Sequence, residues 1–217
     1  MTLPNPFASA DIAAHYESWY QTDGLRAGKQ EEALLQWMLG WFSEPESILD
    51  VGCGTGHFTR WFKSLGMRVA GLDLSTGMIA EAKIMNGLNY LQGNALQIPF
   101  PSRSFDLVTL ITTLEFLPDP YLALEEAMRI GRQGLMLGVI NKHSYLGQKY
   151  KHSNYEIWDA ARFFTPGELK TMLHKISRGK VEIVSRTTLW PFWPGSSPLP
   201  WGGFIVMGVI KGSRKKR

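Results

Sequence analysis

Apolar residues along this chain fall into two rhythms. Short apolar or alternating runs at 47–51, 68–73, 88–92, 105–111, 134–140, 181–188 and 204–210 have the length and texture of β-strands. Between the first five lie helix-like runs at 57–65, 76–86 and 121–130, and a further helix at 165–175 precedes the sixth. Thr165-Pro166-Gly167-Glu168 supplies that last helix with a capping hydroxyl, a proline at the first position and a glutamate three residues after the cap. Pro120, with Glu125 and Glu126, suits the opening of the 121–130 helix. Strands alternating with helices predict a parallel sheet covered on both faces. The last two strands have no helix between them and are expected to pair antiparallel. No internal repeat or low-complexity segment interrupts the pattern.

The first strand runs into Asp50-Val51-Gly52-Cys53-Gly54-Thr55-Gly56, and a helix follows at once. Glycines there let a ligand approach the backbone, and the N–H groups of the helix start face it. The dinucleotide fingerprint Gly-x-Gly-x-x-Gly would need glycine at 57, where this chain has His57, and the Gly-Lys-Ser/Thr ending of a P-loop is missing. Asp73 closes the second strand, 21 residues after Gly52, where a carboxylate can accept from both hydroxyls of a ribose. Read singly, the glycines are a tight turn, Asp73 caps a helix starting near Ser75, and Asn94 is a turn residue. Read together, Asp50, Asp73, Asn94 and Ile111 sit at or just past the carboxyl ends of successive strands, where open α/β sheets bind ligands.

The glycine loop resembles the first motif of the class I S-adenosylmethionine-dependent methyltransferases. Four later segments match that family in order: Arg68 to Asp73, Gly93-Asn94-Ala95, Phe100 to Val108, and Leu114-Glu115-Phe116-Leu117-Pro118-Asp119-Pro120. The last differs from the family's Leu-Glu-His-Val-Pro-Asp-Pro in carrying Phe116 for histidine. In wording it is most similar to the small-molecule type that includes the quinone-biosynthesis C-methyltransferases. The resemblance covers about residues 30 to 175 and implies a Rossmann-like, seven-stranded, mostly parallel sheet of order 3-2-1-4-5-7-6 with helices on both faces. It implies S-adenosylmethionine as cofactor and S-adenosylhomocysteine as product. Asp50, Gly52, Cys53, Gly54, Thr55 and Gly56 would then surround the methionine end. Asp73, with Leu74 and Met78 following, would hold the ribose, Asn94 and Ala95 would meet the adenine, and Ile111 would contribute backbone.

Composition changes this picture little. The 217 residues, 44% hydrophobic and 19% charged, suit a single methyltransferase domain over 1–217, with 1–30 as an N-terminal lid segment and 211–217 as a basic tail. The net charge of +4 belongs to that tail: without its five basic residues, 18 basic side chains face 19 acidic ones. Nucleic acid is therefore a poor partner, and the tail reads as a solvated end. No apolar run is long enough for a membrane span, and Met1 to Pro6 does not read as a secretory signal. With the single cysteine, Cys53, this leads to a cytoplasmic expectation. No paired Cys/His spacing suggests a metal site.

Methyl transfer needs alignment of donor and acceptor and exclusion of water, and it needs a base only when the acceptor must lose a proton. Three segments are candidates to hold the acceptor. Ile12 to Tyr20 carries His15, Tyr16, Trp19 and Tyr20, either as a lid in which Tyr16 and Trp19 reach the cofactor or as an anchor for a terminal helix. Asn141 to Asp159 carries His143, Tyr145, Tyr150, His152, Tyr155 and Trp158. His143, with His152 behind it, and Glu115 are the candidate bases. Trp190 to Trp201 is a stiff tryptophan- and proline-rich loop, either a surface for an apolar acceptor, a partner such as a second copy of the chain, or a membrane face, or else a cap on the sheet edge. The expected activity is methylation of a small, apolar or aromatic molecule. The rival readings are a non-catalytic module binding S-adenosylmethionine or S-adenosylhomocysteine, and a protein or RNA methyltransferase.

Overall fold

The computed structural model describes residues 7, 10–86, 88–153, 156–191 and 193–212. Tyr155, Phe192, most of the basic tail and the side chain of His15 lie outside that set. Seven strands form one sheet of order β3-β2-β1-β4-β5-β7-β6. They are β1 (Ser47–Val51), β2 (Arg68–Asp73), β3 (Asn89–Gln92), β4 (Phe105–Ile111), β5 (Gly131–Ile140), β6 (Val181–Thr188) and β7 (Phe204–Lys211). β1 to β5 pair parallel, whereas β7 runs antiparallel to both β5 and β6, as the missing helix between the last two strands requires. This is the Rossmann-like sheet order that the family resemblance implies.

Eight helices surround the sheet among the described residues: α1 (Ala10–Gln21), α2 (Leu25–Leu39), α3 (His57–Ser64), α4 (Thr76–Asn86), α5 (Pro120–Ile130), α6 (Tyr145–Lys151), α7 (Glu156–Asp159) and α8 (Pro166–Ser177). α8 begins with the capping box read from Thr165 and Glu168, and α5 begins with Pro120 behind an Asp119 cap. Alternate residues of each strand face opposite cores. Leu49, Val108 and Leu137 meet α5 and α8 on one side. Ile48, Leu107 and Val206 meet Leu34, Leu35 and Met38 of α2 and Phe58 and Phe62 of α3 on the other.

The tryptophan- and proline-rich loop folds back as a cap and still exposes aromatic surface. Thr187 and Ser197 pair through their backbones, and the Asn141 amide donates to the carbonyls of Pro200 and Gly202 at 2.7 and 2.9 Å. Trp193 and Trp201 remain exposed. Among the described residues no helix is long and apolar enough to cross a membrane, and no group of three or more His, Cys, Asp or Glu could hold a metal ion.

Candidate active site

The carboxyl ends of β1, β2 and β4 converge on the glycine loop. Asp50, at the base of this loop, is 2% exposed. Its two carboxylate oxygens accept from the Thr59 and Thr109 hydroxyls at 2.6 and 2.9 Å. Burial outweighs these two bonds and pushes its pKa up to about 6. Asp50 therefore ties β1, α3 and β4 together beneath the loop. In that position it supports the loop expected to surround the methionine end.

Gly52 and Gly54 are required for different reasons. At Gly52 (φ +70°) a Cβ would stand 2.1 Å from Thr113 Cγ2, so this glycine makes room for the chain leaving β4. At Gly54 (φ +54°) a Cβ would make only ordinary van der Waals contacts, with Tyr16 and Met78 at 3.9 and 4.0 Å, so the left-handed backbone rather than crowding calls for glycine. Cys53 beside it is buried, and burial holds its thiol far above the ordinary range, which removes it as a nucleophile.

Asp73 joins the loop to the second strand end. Its two oxygens accept from Gly54 N–H and Ser75 N–H, each at 2.8 Å. An ionised carboxylate has about four lone-pair positions, so accepting capacity remains for a ligand's hydroxyl. The helix-capping and ligand-binding readings of Asp73 are thus compatible. Leu74 is 55% exposed beside it and Met78 is buried behind Gly54. The Asn94 side-chain oxygen accepts from Leu96 N–H at 2.9 Å, which fixes the side chain and leaves one lone pair of that oxygen and the amide NH₂ for a base edge. Ala95 packs into the core behind it, and Ile111 is buried at the end of β4.

The N-terminal helix is fastened over this loop by a residue that sequence reasoning missed. Glu17, buried in α1, accepts from the Thr55 hydroxyl at 2.6 Å and pairs with the Arg60 guanidinium, which also donates to the Thr55 carbonyl. These bonds hold the Glu17 carboxyl below its ordinary pKa despite burial. A carboxylate on an otherwise amphipathic helix reads as solvated, and only the fold brings Thr55 and Arg60 to it. The same helix aims Tyr16 at Gly54, while Trp19 lies on the backbone of Gly24 and edge-on to Tyr20. Tyr16 keeps its place at the loop, and Trp19 is corrected to an anchor of the α1–α2 turn. Tyr16→Ala should weaken cofactor about tenfold with little change in Tm, and Trp19→Ala should lower Tm by several degrees with little change in cofactor affinity. Calorimetric titration beside thermal melts separates the two.

Glu115 sits in the short 3₁₀ turn Leu114–Phe116 after β4 and is 1% exposed. One of its oxygens accepts from Ile140 N–H at 2.7 Å. Glu31 of α2 is 4% exposed in the same region. Burial drives the Glu115 pKa to about 7 and that of Glu31 to about 8, the latter helped by the charges of Glu32 and Glu115. The phenols of Tyr16, Tyr20 and Tyr150 are raised by their own burial and by the Glu31 charge. His143 is exposed in the turn after β5, and exposed His152 spends Nδ1 on the Gln148 carbonyl. Of the candidate bases, only Glu115 is enclosed at the strand ends.

The acid pair gives folding a definite pH dependence. Each carboxyl stays protonated in the folded chain to higher pH than in the unfolded one, so its contribution is lost as pH rises toward its folded value. His57, held neutral down to about 4 by burial, adds nothing further above its ordinary 6.5. Between about pH 6.5 and 8 stability should therefore fall, by at most about 1.4 kcal/mol per pH unit for each carboxyl. Denaturant titrations across that range check the slope, and a flat or rising profile contradicts it.

A family model for a methyltransferase domain matches residues 49–137. Malonyl-[acyl-carrier protein] O-methyltransferase of Serratia marcescens is 37% identical over 90 residues, 41% of this chain and 35% of that protein. Demethylmenaquinone methyltransferase of Lactococcus lactis is 41% identical over 97 residues, 41% of this chain and 38% of that protein. The matches to these two curated relatives thus span little more than a third of their length. A crystal structure from Thermotoga maritima, described as a SAM-dependent methyltransferase and possible histamine N-methyltransferase, superposes with a TM-score of 0.76 at 26% identity, covering 94% of this chain and 97% of that one. The left-handed glycine loop, with a carboxylate at the next strand end bonded to the Gly54 N–H, fits an adenosyl amino acid. Residues 49–137 thus carry the match to a methyltransferase domain, the chain shares the fold of a SAM-dependent methyltransferase, and S-adenosylmethionine is the cofactor that these findings support.

Proposed function

We propose that this protein methylates a small-molecule acceptor held between α1, the turn after β4 and the segment 145–163. The observation that carries the reading is the meeting of two sites across Tyr16, whose ring stands against Gly54 of the loop and whose hydroxyl feels the Glu31 and Glu115 charges. When bound, S-adenosylmethionine supplies a methyl group on a sulfonium, open to in-line displacement. The protein's part is to place the partners. Asp73 and the loop amides fix the cofactor end, Glu17 holds α1 down over it, and the rings of Tyr16, Phe116 and Trp158 exclude water from the acceptor side. The curated relatives are named for different acceptors, malonyl-[acyl-carrier protein] and demethylmenaquinone, so the acceptor is argued from this chain's own residues.

Calorimetric titration of the wild type with S-adenosylmethionine and S-adenosylhomocysteine tests the first half, with micromolar binding of both expected. Release of labelled methyl into an acceptor tests the second. A folded protein that binds neither nucleoside overturns the reading. One that binds both but methylates nothing is a binding module.

A further inference from the structure

Among the described residues, the acceptor side holds two buried carboxyls on which no cationic side chain acts appreciably. Glu31 and Glu115 are 4% and 1% exposed, and the Oε2 atom of each has no hydrogen-bond partner among the described residues. None of the groups that govern the charge of either carboxyl, apart from solvent exclusion and backbone, is a lysine, arginine or histidine. An orphaned buried acceptor costs about 1–3 kcal/mol, and more if it is ionised. These two are kept where they are despite that cost, on different elements, and both lie close enough to Tyr16 for their charges to act on its hydroxyl.

Aromatic rings wall this site. Phe7 packs edge-on to Phe116 at 4.8 Å between centroids, Phe116 meets Trp158 at 5.9 Å, and Trp158 stacks on Tyr150 at 4.3 Å. Tyr16 closes on Phe7 at 6.3 Å, and the Tyr16 and Tyr20 hydroxyls share a hydrogen bond. Ring faces around a carboxyl floor are the surroundings an ammonium group prefers. An ammonium ion would draw both carboxyls into their ionised form and meet two acceptors, whereas an alcohol brings one proton and no charge, and a carboxylate would oppose that ionisation.

Resting on the methyltransferase reading above, we propose that the acceptor is an aryl- or alkylamine, bound as its ammonium ion between Glu31 and Glu115 and methylated on nitrogen. The ammonium first passes one proton to the free oxygen of Glu115, whose other oxygen is pinned by Ile140 N–H. The freed nitrogen lone pair then forms the N–C bond while the methyl–sulfur bond breaks, its electron pair remaining on sulfur. The products are an N-methylammonium ion and S-adenosylhomocysteine, and the proton on Glu115 returns to solvent as the site opens. Glu31 keeps the charge of the cation balanced throughout and is a binding residue rather than the base.

The test uses protein loaded with S-adenosylhomocysteine and paired probes: benzylamine, phenethylamine, tyramine and tryptamine, each against the alcohol of the same skeleton. At least one amine should bind about tenfold or more tighter than its alcohol, a margin ordinary for a buried charge-assisted pair. The same amine should accept labelled methyl from S-adenosylmethionine. Glu31→Gln and Glu115→Gln imitate the protonated forms and so should fold; each should erase the amine preference while leaving the Kd for S-adenosylhomocysteine unchanged. Alcohols binding as well as amines in every pair, or glutamine variants that keep the preference, overturn the proposal and leave the methyltransferase reading standing. Failure to bind S-adenosylhomocysteine at all would instead remove that reading.

Discussion

Asp73→Ala is expected to weaken S-adenosylmethionine by about a hundredfold or more, the largest loss of affinity for a single side chain in this site. Two effects combine. The carboxylate supplies the acceptor for a ligand's ribose hydroxyls, and it also positions the loop by accepting from Gly54 N–H and Ser75 N–H. Hydrogen bonds to a charged group are worth about 1.5–3 kcal/mol each, so losing two exceeds the roughly 2.7 kcal/mol that a hundredfold represents. Asp73→Asn keeps one acceptor oxygen and should fall between the two. Titration calorimetry with S-adenosylhomocysteine reads all three proteins. An alanine variant within about threefold of wild type would show that the ribose is held elsewhere.

Gly52→Ala should be the most destabilising single-methyl change in the loop. The residue sits at φ +70°, and the added Cβ would lie 2.1 Å from Thr113 Cγ2 and 2.4 Å from its Oγ1. The left-handed backbone alone costs a side chain about 1–2 kcal/mol. To relieve the overlap Thr113 must swing away, breaking its hydroxyl's bonds to the carbonyls of Gly52 and Ile111. A loss of about 3 kcal/mol or more in unfolding free energy follows, together with cofactor binding. The double variant Gly52→Ala/Thr113→Gly removes the collision, so part of the loss should return in denaturant titration. A single variant costing under about 1 kcal/mol would mean that Thr113 has room the structure does not show.

Much of the sheet was legible in the sequence because strand ends in this fold carry their own punctuation. β1, β2, β4 and β6 fall where the apolar runs place them, and the capping box at Thr165 marks the start of α8. The strand order came from family resemblance, since local pattern says nothing about neighbours. α2 was missed for a physical reason: Gly24 at its start offers no side-chain cap, and Gly28 interrupts its apolar rhythm. That glycine is there because Tyr20 packs onto it, 3.1 Å from where a Cβ would stand. Glu17 and Glu31 were illegible in the same way. Each looks like an ordinary helix-surface charge until residues far along the chain close over it. His143, the more conspicuous base on paper, stays in solvent, while Glu115 beside the unusual Phe116 is enclosed.

α1 serves both halves of the site at once. Over about one turn it presents Tyr16 to the glycine loop, Glu17 to Thr55 and Arg60, and Tyr20 within reach of the Glu31 charge. A ligand that steadies the loop therefore steadies a wall of the acceptor pocket, and by thermodynamic reciprocity the acceptor steadies the loop by the same factor. The two substrates should thus enter as cooperating partners, with neither affinity a fixed property of the protein until the occupancy of the other site is stated.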